Sequence, residues 1–343
     1  MTTLKELYAA HFYEAASYHA QRVKLLQNPD LHEYDEDGYE TCTHAAMCAE
    51  MFITGKVIEH NPSEVVPSKI LGKRNQDKIS LSALQDNDVN KVDINTLVSL
   101  QMCGAAEMLK KYIDIEKYHF KNDNLEETLN SIRHYAKLLI DNRNDVLHRH
   151  YMHTQSIRPA TAFSYLCQYV DAVYGDNSME HQYLTGTYSR DASALTELLK
   201  RYLSADFDEP ENLSIDTYNK QIHKIASKYT ALMRSKKQYP NLSLTTDIVT
   251  CPKCGKYAFL TRQTEVLATY WEGEPNNSIS VLEMFNPSGE SEETLQCPIC
   301  QLEWKDDVLH LYQDIGEIKH LKTHIPPDEL SKEFKQYYYS HCN

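Results

Sequence analysis

Apolar side chains recur every three to four residues through the first half of the chain, which is the spacing of one face of an α-helix. Five stretches follow this pattern, at residues 3–27, 39–60, 95–116, 125–150 and 159–174. Helix-ending sequences follow the first, second and fifth of them, at Asn28-Pro29, Asn61-Pro62 and Gly175. Five helices with short connections predict a helical bundle. The polar stretch 63–95 predicts a loop with short helices.

The pattern changes in the second half of the chain. Three further helices are predicted, at residues 190–205, 214–238 and 326–340. Between the last two, β-branched and aromatic residues with interspersed turn sequences predict a small β-rich domain. The predicted fold is mainly α and divides into a helical bundle, a helical connector, the β-rich domain and a helical tail, at residues 1–175, 176–242, 243–315 and 316–343.

Two Cys-x-x-Cys pairs lie in the predicted β-rich domain, Cys251-Pro-Lys-Cys254 and Cys297-Pro-Ile-Cys300. Each pair can present two thiolates to one side of a metal ion, and four thiolates match the tetrahedral coordination of structural Zn²⁺. The spacing therefore predicts a zinc ribbon, with four unrelated thiols as the alternative. Because cysteine fills all four positions, catalytic zinc is not expected.

The overall charge limits the functions that are open to the chain. With 49 acidic and 35 basic residues, the formal net charge is −14. Such a surface repels nucleic acid, so contact with RNA or DNA requires a local basic cleft. No apolar run approaches the roughly 18 residues of a membrane helix, and the first residues show no signal-peptide pattern. Nine cysteines, mostly scattered, favour a reducing, cytoplasmic setting.

The stretch 125–150 carries one charged residue on its apolar stripe. Arg143 falls three residues after Ile140 and four before Leu147, and a guanidinium there is costly unless it is paired or lines a polar groove. His148 lies five residues after Arg143, about 140° further round a straight helix. Two copies of this helix around a two-fold axis could bring both residues of both chains to one cleft.

Ordinary roles for these residues remain open. Arg143 could pair with acidic residues of its own helix, namely Asp141, Asp145, Glu126 or Glu127. A three-histidine metal site is not favoured, because the spacing of His148, His150 and His153 does not place them on one helical face. Glu50 and Lys56 are predicted to form an ordinary pair on a helix surface.

The sequence Arg143-Asn144-Asp145-Val146-Leu147-His148 resembles the Arg-(four to six residues)-His motif of the HEPN family, the higher-eukaryote and prokaryote nucleotide-binding domains. That family prefers a polar residue directly after the arginine, and Asn144 matches. An early helix with Glu50 and Lys56 in Ala-Glu-Met-Phe-Ile-Thr-Gly-Lys, the motif in a late helix and one closing helix also match. The resemblance covers residues 1–175.

The resemblance implies a metal-independent endoribonuclease that acts as a homodimer through the bundle, often in toxin or antiviral systems. His148 would be the general acid and base, because imidazole transfers protons near neutral pH. Arg143 would stabilise the negative charge of the phosphorane, and Asn144 would orient the pair or bind phosphate. The RNA products would carry a 2′,3′-cyclic phosphate.

Two other functions stay open. One is a non-catalytic HEPN module that dimerises or senses a nucleotide or partner. The other is a zinc-ribbon nucleic-acid binder, which the net charge of −14 disfavours. Acidic residues outnumber basic ones in the ribbon, so contact with a protein partner or gating of substrate access is expected there rather than DNA binding.

Overall fold

The computed structural model describes most of the chain, namely residues 2–28, 30, 38–71, 75–119, 123–149, 157–206, 220, 224, 242–268, 283–285, 292–325, 329 and 332. Two compact units are present, Met1–Arg201 and Tyr202–Asn343. The first is helical, and the second contains a small antiparallel sheet. The predicted mainly helical fold with a small β-rich region is confirmed. None of the helices in the described ranges combines the length and the apolar character needed to cross a membrane.

Ten α-helices precede the sheet in the described part of the chain, α1 (Leu4–Leu26), α2 (Tyr39–His60), α3 (Ser68–Leu71), α4 (Asn75–Asp86), α5 (Ile94–Val98), α6 (Ala105–His119), α7 (Asp123–Arg149), α8 (Pro159–Tyr174), α9 (Met179–Thr185) and α10 (Ala194–Ser204). Short 3-10 helices occupy Pro62–Val65 and Val89–Lys91. The boundaries of α1, α2, α7 and α8 lie within two residues of the predicted stretches.

Helix α2 is the centre of the bundle, because it packs against α1, α6, α7 and α8. Its contact with α1 is close at Gly55, where a Cβ atom would lie 2.3 Å from Cε1 of Tyr13. The Tyr13 ring in turn stacks on Tyr183 of α9, with the ring centroids 4.0 Å apart. A glycine at this position therefore allows an aromatic side chain of α1 to lie directly against the backbone of α2.

The predicted helix 95–116 is two helices in the structure, α5 and α6. Between them, the Cys103 amide donates a hydrogen bond to the Val65 carbonyl (2.7 Å) instead of to a helical neighbour. The Cys103 side chain is buried at the same point. This contact with a segment distant in sequence interrupts the helix, and periodicity alone does not reveal it.

The predicted boundary at residue 175 also differs from the structure, because residues 176–201 pack with the bundle. Three side chains of α1 bind this segment: Gln21 donates to the Gly186 carbonyl (2.7 Å), Ser17 donates to the Tyr188 carbonyl (3.1 Å) and Glu14 accepts from the Ala194 amide (2.8 Å). These bonds make α9 and the start of α10 part of the first unit rather than a connector. The predicted helix 214–238 lies outside the described residues, apart from 220 and 224.

The sheet of the second unit is antiparallel, with the strand order β5-β4-β2-β1-β6 and β3 paired with β2. Its strands are β1 (Leu242–Thr250), β2 (Tyr257–Ala268), β3 (Glu283–Phe285), β4 (Glu292–Gln296), β5 (Glu303–Lys305) and β6 (His320–Lys322). A further helix, α11 (Asp306–Gln313), follows β5 and was not predicted. The ribbon was predicted to end at residue 315, but β6 pairs with β1 and extends the sheet beyond it. Most of the predicted helix 326–340 lies outside the described residues.

A buried carboxylate fixes β6 to the sheet. The side chain of Asp247 in β1 is only 3% exposed and accepts from Arg262 of β2 (2.8 Å) and from the His324 amide (2.9 Å). The imidazole Nδ1 of His320 lies 3.1 Å from the same carboxylate. Charged and polar donors thus compensate the burial of Asp247.

Candidate functional site

The turns between β1 and β2 and between β4 and β5 bring four thiols together. The Sγ atoms of Cys251, Cys254, Cys297 and Cys300 all lie within 4.8 Å of one another. Cys251 lies 3.5 Å from Cys300, and Cys254 lies 3.6 Å from Cys297. Ligands at a Zn–S distance of about 2.3 Å in a tetrahedron are about 3.8 Å apart, so this spacing fits one Zn²⁺ ion. The same spacing is much longer than a disulfide bond.

The two cysteine turns share one backbone conformation although their sequences differ. In the first, the Cys251 amide donates to the Lys256 carbonyl (2.6 Å), and in the second the Cys297 amide donates to the Leu302 carbonyl (2.8 Å). The residue after the second cysteine is left-handed in both, Gly255 with φ 69° and Gln301 with φ 60°. Glycine adopts this conformation at little cost, whereas Gln301 is held there by the turn.

The donor set is suited to a structural metal ion. Cys251 and Cys297 are buried, and Cys254 and Cys300 are partly exposed. Hydrogen bonds among the four thiols lower the pKa of Cys254 and Cys300 and raise that of Cys251 and Cys297. Two of the four thiols therefore favour the thiolate form, and a metal ion would displace the protons of the other two. With four cysteines around one point, no position remains for substrate, so the cluster can stabilise the second unit but does not provide a catalytic centre.

The second candidate site lies where α7 packs against α2. The Arg143 guanidinium donates through Nη1 to Glu50 of α2 and through Nη2 to Oδ1 of Asn144 (3.1 Å). Its Nη1 also lies 3.4 Å from Sδ of Met47. The Arg143 and Glu50 side chains are 16% and 19% exposed, so this is a largely desolvated ion pair. As predicted from its place on the apolar stripe, Arg143 is paired.

The partner of Arg143 is not one of the acidic residues of α7 that the sequence suggested. Of the acidic residues in its own helix, Asp141 pairs with Lys137 and Glu126 pairs with Lys117. Glu50 lies 93 residues from Arg143 in the sequence, and only the packing of α2 on α7 brings them together. The one signal in the sequence that could have suggested this pair is an acidic residue, Glu50, on a helix whose packed face is otherwise apolar.

The predicted surface pair between Glu50 and Lys56 is wrong. Lys56 instead binds Glu180 of α9 (2.8 Å) and Glu59 (3.3 Å), and its ammonium group lies 4.8 Å from the centre of the Tyr174 ring. Lys56 therefore helps to hold α9 on the bundle, and the Glu50 carboxylate pairs with Arg143 instead.

Two buried polar atoms of consecutive residues in α7 have no partner within the described part of the chain, Nε of Arg143 and Oδ1 of Asn142. One is a donor and the other an acceptor, and each costs free energy while it is unpaired. The nearby Cys42 is a poor nucleophile, because burial raises the pKa of its thiol to about 11 although the Arg143 charge opposes the shift. The polar groups of this site are therefore suited to binding charge rather than to covalent catalysis.

His148 lies in the last turn of α7, but the side chains of residues 146–149 are outside the described part of the structure. The backbone is helical from Arg143 through Arg149, so positions 143 and 148 are about 140° apart around the axis. One chain alone does not place the two positions on one face of the helix. That His148 shares a cleft with Arg143 stays a prediction.

Comparison of the chain with protein-family models, with curated proteins and with solved structures gave no match.

Proposed function

We propose that the protein is a metal-independent endoribonuclease with Arg143, Asn144 and His148 at its active site. The observation that carries the proposal is the guanidinium of Arg143, held in a desolvated position by Glu50 and Asn144 within the motif that resembles that of HEPN nucleases. Orienting a charge before the reaction is the most effective way to stabilise a transition state that becomes more negative.

Arg143, Asn144 and His148 together supply every group that the proposed reaction needs. A base removes the proton of the ribose 2′-hydroxyl, whose oxygen attacks the adjacent phosphorus while the 5′-oxygen leaves and takes up a proton. Imidazole can serve in both proton transfers, and this role is assigned to His148. Arg143 binds the phosphoryl oxygens, which gain charge in the transition state. Asn144 accepts from Arg143 through Oδ1, so its amide nitrogen is the atom that would donate to phosphate.

Glu50 has a positioning role in this proposal. Its carboxylate accepts a hydrogen bond from Nη1 of Arg143. This contact fixes which edge of the guanidinium faces a substrate. Nη2 carries the bond to Asn144, and Nε has no partner. Because Nε is buried, a phosphate would bind the edge formed by Nε and Nη2 through two parallel hydrogen bonds only once that edge became exposed.

A second copy of the chain completes the proposed site, and the outer face of α8 is where it would pack. Asp171 is the one charged residue in α8, and it is bound by His181 of α9 (2.9 Å). The exposed side chains of α8 are all uncharged, namely Thr161, Ser164, Tyr165, Gln168 and Ala172. Tyr135 of α7 extends this surface, because its ring lies 5.1 Å from that of Tyr165 and 5.7 Å from that of Tyr169. We call these three residues the tyrosine face.

Charge indicates a second copy as the occupant of the tyrosine face. Two identical chains of net charge −14 repel each other, so they meet most favourably through a surface without charged groups. Interfaces are also enriched in tyrosine and depleted of charge at their centres. Because α7 contributes to this face and carries Arg143, the contact would bring two copies of the catalytic helix near one another.

Tyr165→Glu is expected to convert a dimer into a monomer, because it places two like charges at the centre of the contact. Sedimentation velocity at micromolar concentration measures the change. Tyr118→Glu is the matched control, since Tyr118 is a tyrosine of α6 that is 72% exposed and lies off this face. A parent protein that is monomeric, or a Tyr165→Glu variant that dimerises like the parent, would contradict the assignment.

His148→Ala is expected to lower RNA cleavage by about 10²–10⁴-fold, the usual contribution of a general acid or base. The test incubates purified protein with total RNA during a short exposure to EDTA, before the cysteine-bound zinc is lost, and detects 2′,3′-cyclic phosphate ends. His134→Ala, at an exposed position of the same helix, controls for the loss of any histidine. Equal cleavage by the parent and by His148→Ala would refute the assignment of this residue.

A non-catalytic module that senses a nucleotide or partner is the second candidate. The observation in its favour is Glu50, whose carboxylate balances the charge that a phosphate would otherwise meet. This function predicts RNA or nucleotide binding without turnover and an unchanged affinity in His148→Ala.

A further inference from the structure

Two imidazoles meet between α1 and α2, on residues that the proposed nuclease reaction does not use. Nδ1 of His19 lies 2.8 Å from Nδ1 of His44, with the ring centroids 5.0 Å apart and the rings inclined by 39°. Both side chains are partly buried. The same nitrogen of each ring faces the other, so the two Nδ1 atoms converge between the helices.

Both rings are neutral near pH 7. Burial, and then the charge of His44, lowers the pKa of His19 to about 4. Burial and the charge of Arg22 lower the pKa of His44, against an opposing effect of Glu40. Neutral imidazole is the form that binds metal ions. A hydrogen bond between two neutral rings requires the Nδ1–H tautomer in one of them, whereas a metal ion would bind both rings through Nδ1 in the Nε2–H tautomer.

The separation of the two nitrogens distinguishes between coordination geometries. Imidazole nitrogen binds first-row metal ions at about 2.0–2.1 Å, so two ligands at 90° are about 2.8–3.0 Å apart and two ligands of a tetrahedron about 3.3–3.4 Å. The observed 2.8 Å is the length of the hydrogen bond between the rings, and it also matches neighbouring positions of a square-planar or octahedral ion. Square-planar or tetragonal nitrogen sites are typical of Cu²⁺ and Ni²⁺.

From this convergence we propose that His19 and His44 form a binding site for a divalent late transition-metal ion, with Ni²⁺ and Cu²⁺ as the fitting species. Water supplies most of the remaining ligands, because among the described residues the Cys251 cluster alone gathers three or more metal-binding side chains. Glu40 is the acidic side chain whose charge acts on His44. It lies one turn before His44, is 62% exposed and has its carboxylate 3.9 Å from Nη2 of Arg22.

Binding at this position would connect α1 to α2, the two helices with the most extensive contact in the bundle. The site is partly open to solvent, with the exposed ring of Tyr18 beside both histidines at centroid distances of 5.3 and 6.4 Å. An ion that binds the folded bundle and not the unfolded chain raises the unfolding temperature. The site is independent of the RNA-cleavage proposal, since neither histidine belongs to the Arg143 site.

The test titrates NiCl₂ into the full-length, untagged protein with zinc bound at the four cysteines. Calorimetry is expected to show one site that is weakened at least ten-fold by His19→Ala and, separately, by His44→Ala. The His134→Ala variant, with a histidine removed from the exposed face of α7, should bind like the parent. Zinc content measured by mass spectrometry should stay constant, which excludes exchange of Ni²⁺ into the cysteine cluster.

A second measurement covers the case in which an alanine variant folds poorly. With one equivalent of CuCl₂, electron paramagnetic resonance of the parent is expected to show splitting from two equivalent nitrogens, and His44→Asn should reduce it to one. A parent protein without such a site, or His19→Ala and His44→Ala variants with the affinity of the parent, would overturn the proposal. The contact would then be a hydrogen bond between neutral rings and nothing more.

Discussion

Cys254→Ser is expected to release the metal ion and unfold the second unit. The four thiols are the ligands of one site, and the free energy of zinc binding in small structural sites is about 10–16 kcal/mol at neutral pH. A serine hydroxyl does not replace a thiolate, and the short strands β4 and β5 end at this site. The loss should appear as zinc content below one equivalent by mass spectrometry and as fast hydrogen exchange of the β1 and β2 amides.

The matched control is Cys167→Ser, a thiol of α8 that lies outside the cluster and bonds to the Leu184 carbonyl (3.8 Å). This variant should keep its zinc and the slow exchange of β1 and β2. Removing zinc from the parent with a strong chelator should reproduce the Cys254→Ser result. Slow exchange in the sheet of the metal-free protein would show that hydrophobic packing around Trp304 is sufficient without an ion.

Arg143→Lys is expected to reduce RNA cleavage by about 10²–10³-fold, the typical cost of losing one oriented donor at a developing negative charge. Lysine keeps the positive charge but lacks the planar guanidinium, so it cannot bind Glu50, Asn144 and a phosphate in fixed directions. The rate of cleavage of a defined RNA under single-turnover conditions measures this loss. Binding should weaken much less than the rate, because the charge remains.

Arg190→Lys tests whether any partly buried arginine would have the same effect. Arg190 is 21% exposed, pairs with Glu197 (2.5 Å) and lies in the same unit but outside the site. The Arg190→Lys variant should lose a free energy of unfolding comparable to that lost by Arg143→Lys and should cleave RNA at the rate of the parent. If Arg143→Lys cleaves like the parent, Arg143 has no catalytic role and its pair with Glu50 serves only to join α2 to α7.

Glu50→Gln separates positioning from charge in the same assay. Glutamine can still accept from Nη1 of Arg143, but it no longer balances the guanidinium. If the Glu50 carboxylate weakens RNA binding by neutralising Arg143, as in the sensing function, the affinity of Glu50→Gln for RNA should be higher than that of the parent. If it positions Arg143, the rate should fall while affinity changes little.

Local interactions determine the features that the sequence predicted well. Thr3 and Glu6 cap the start of α1 reciprocally, and Gly175 with φ 97° ends α8, so both boundaries follow from neighbouring residues. The cysteine turns are equally local, because each spans six residues whose ends are joined by a backbone hydrogen bond. For the same reason the apolar stripe of α7 was enough to predict that Arg143 is either paired or lines a polar groove.

Contacts between distant segments decided the rest. The sequence by itself determined the main helices, the β-rich region and the four thiols, because caps, periodicity and turn spacing act over a few residues. Tertiary structure alone paired Arg143 with Glu50, broke the third predicted helix at Cys103, attached residues 176–201 to α1 and brought His19 to His44. Each of these depends on which helix faces lie against each other, and a side chain 93 positions away leaves no mark on local spacing.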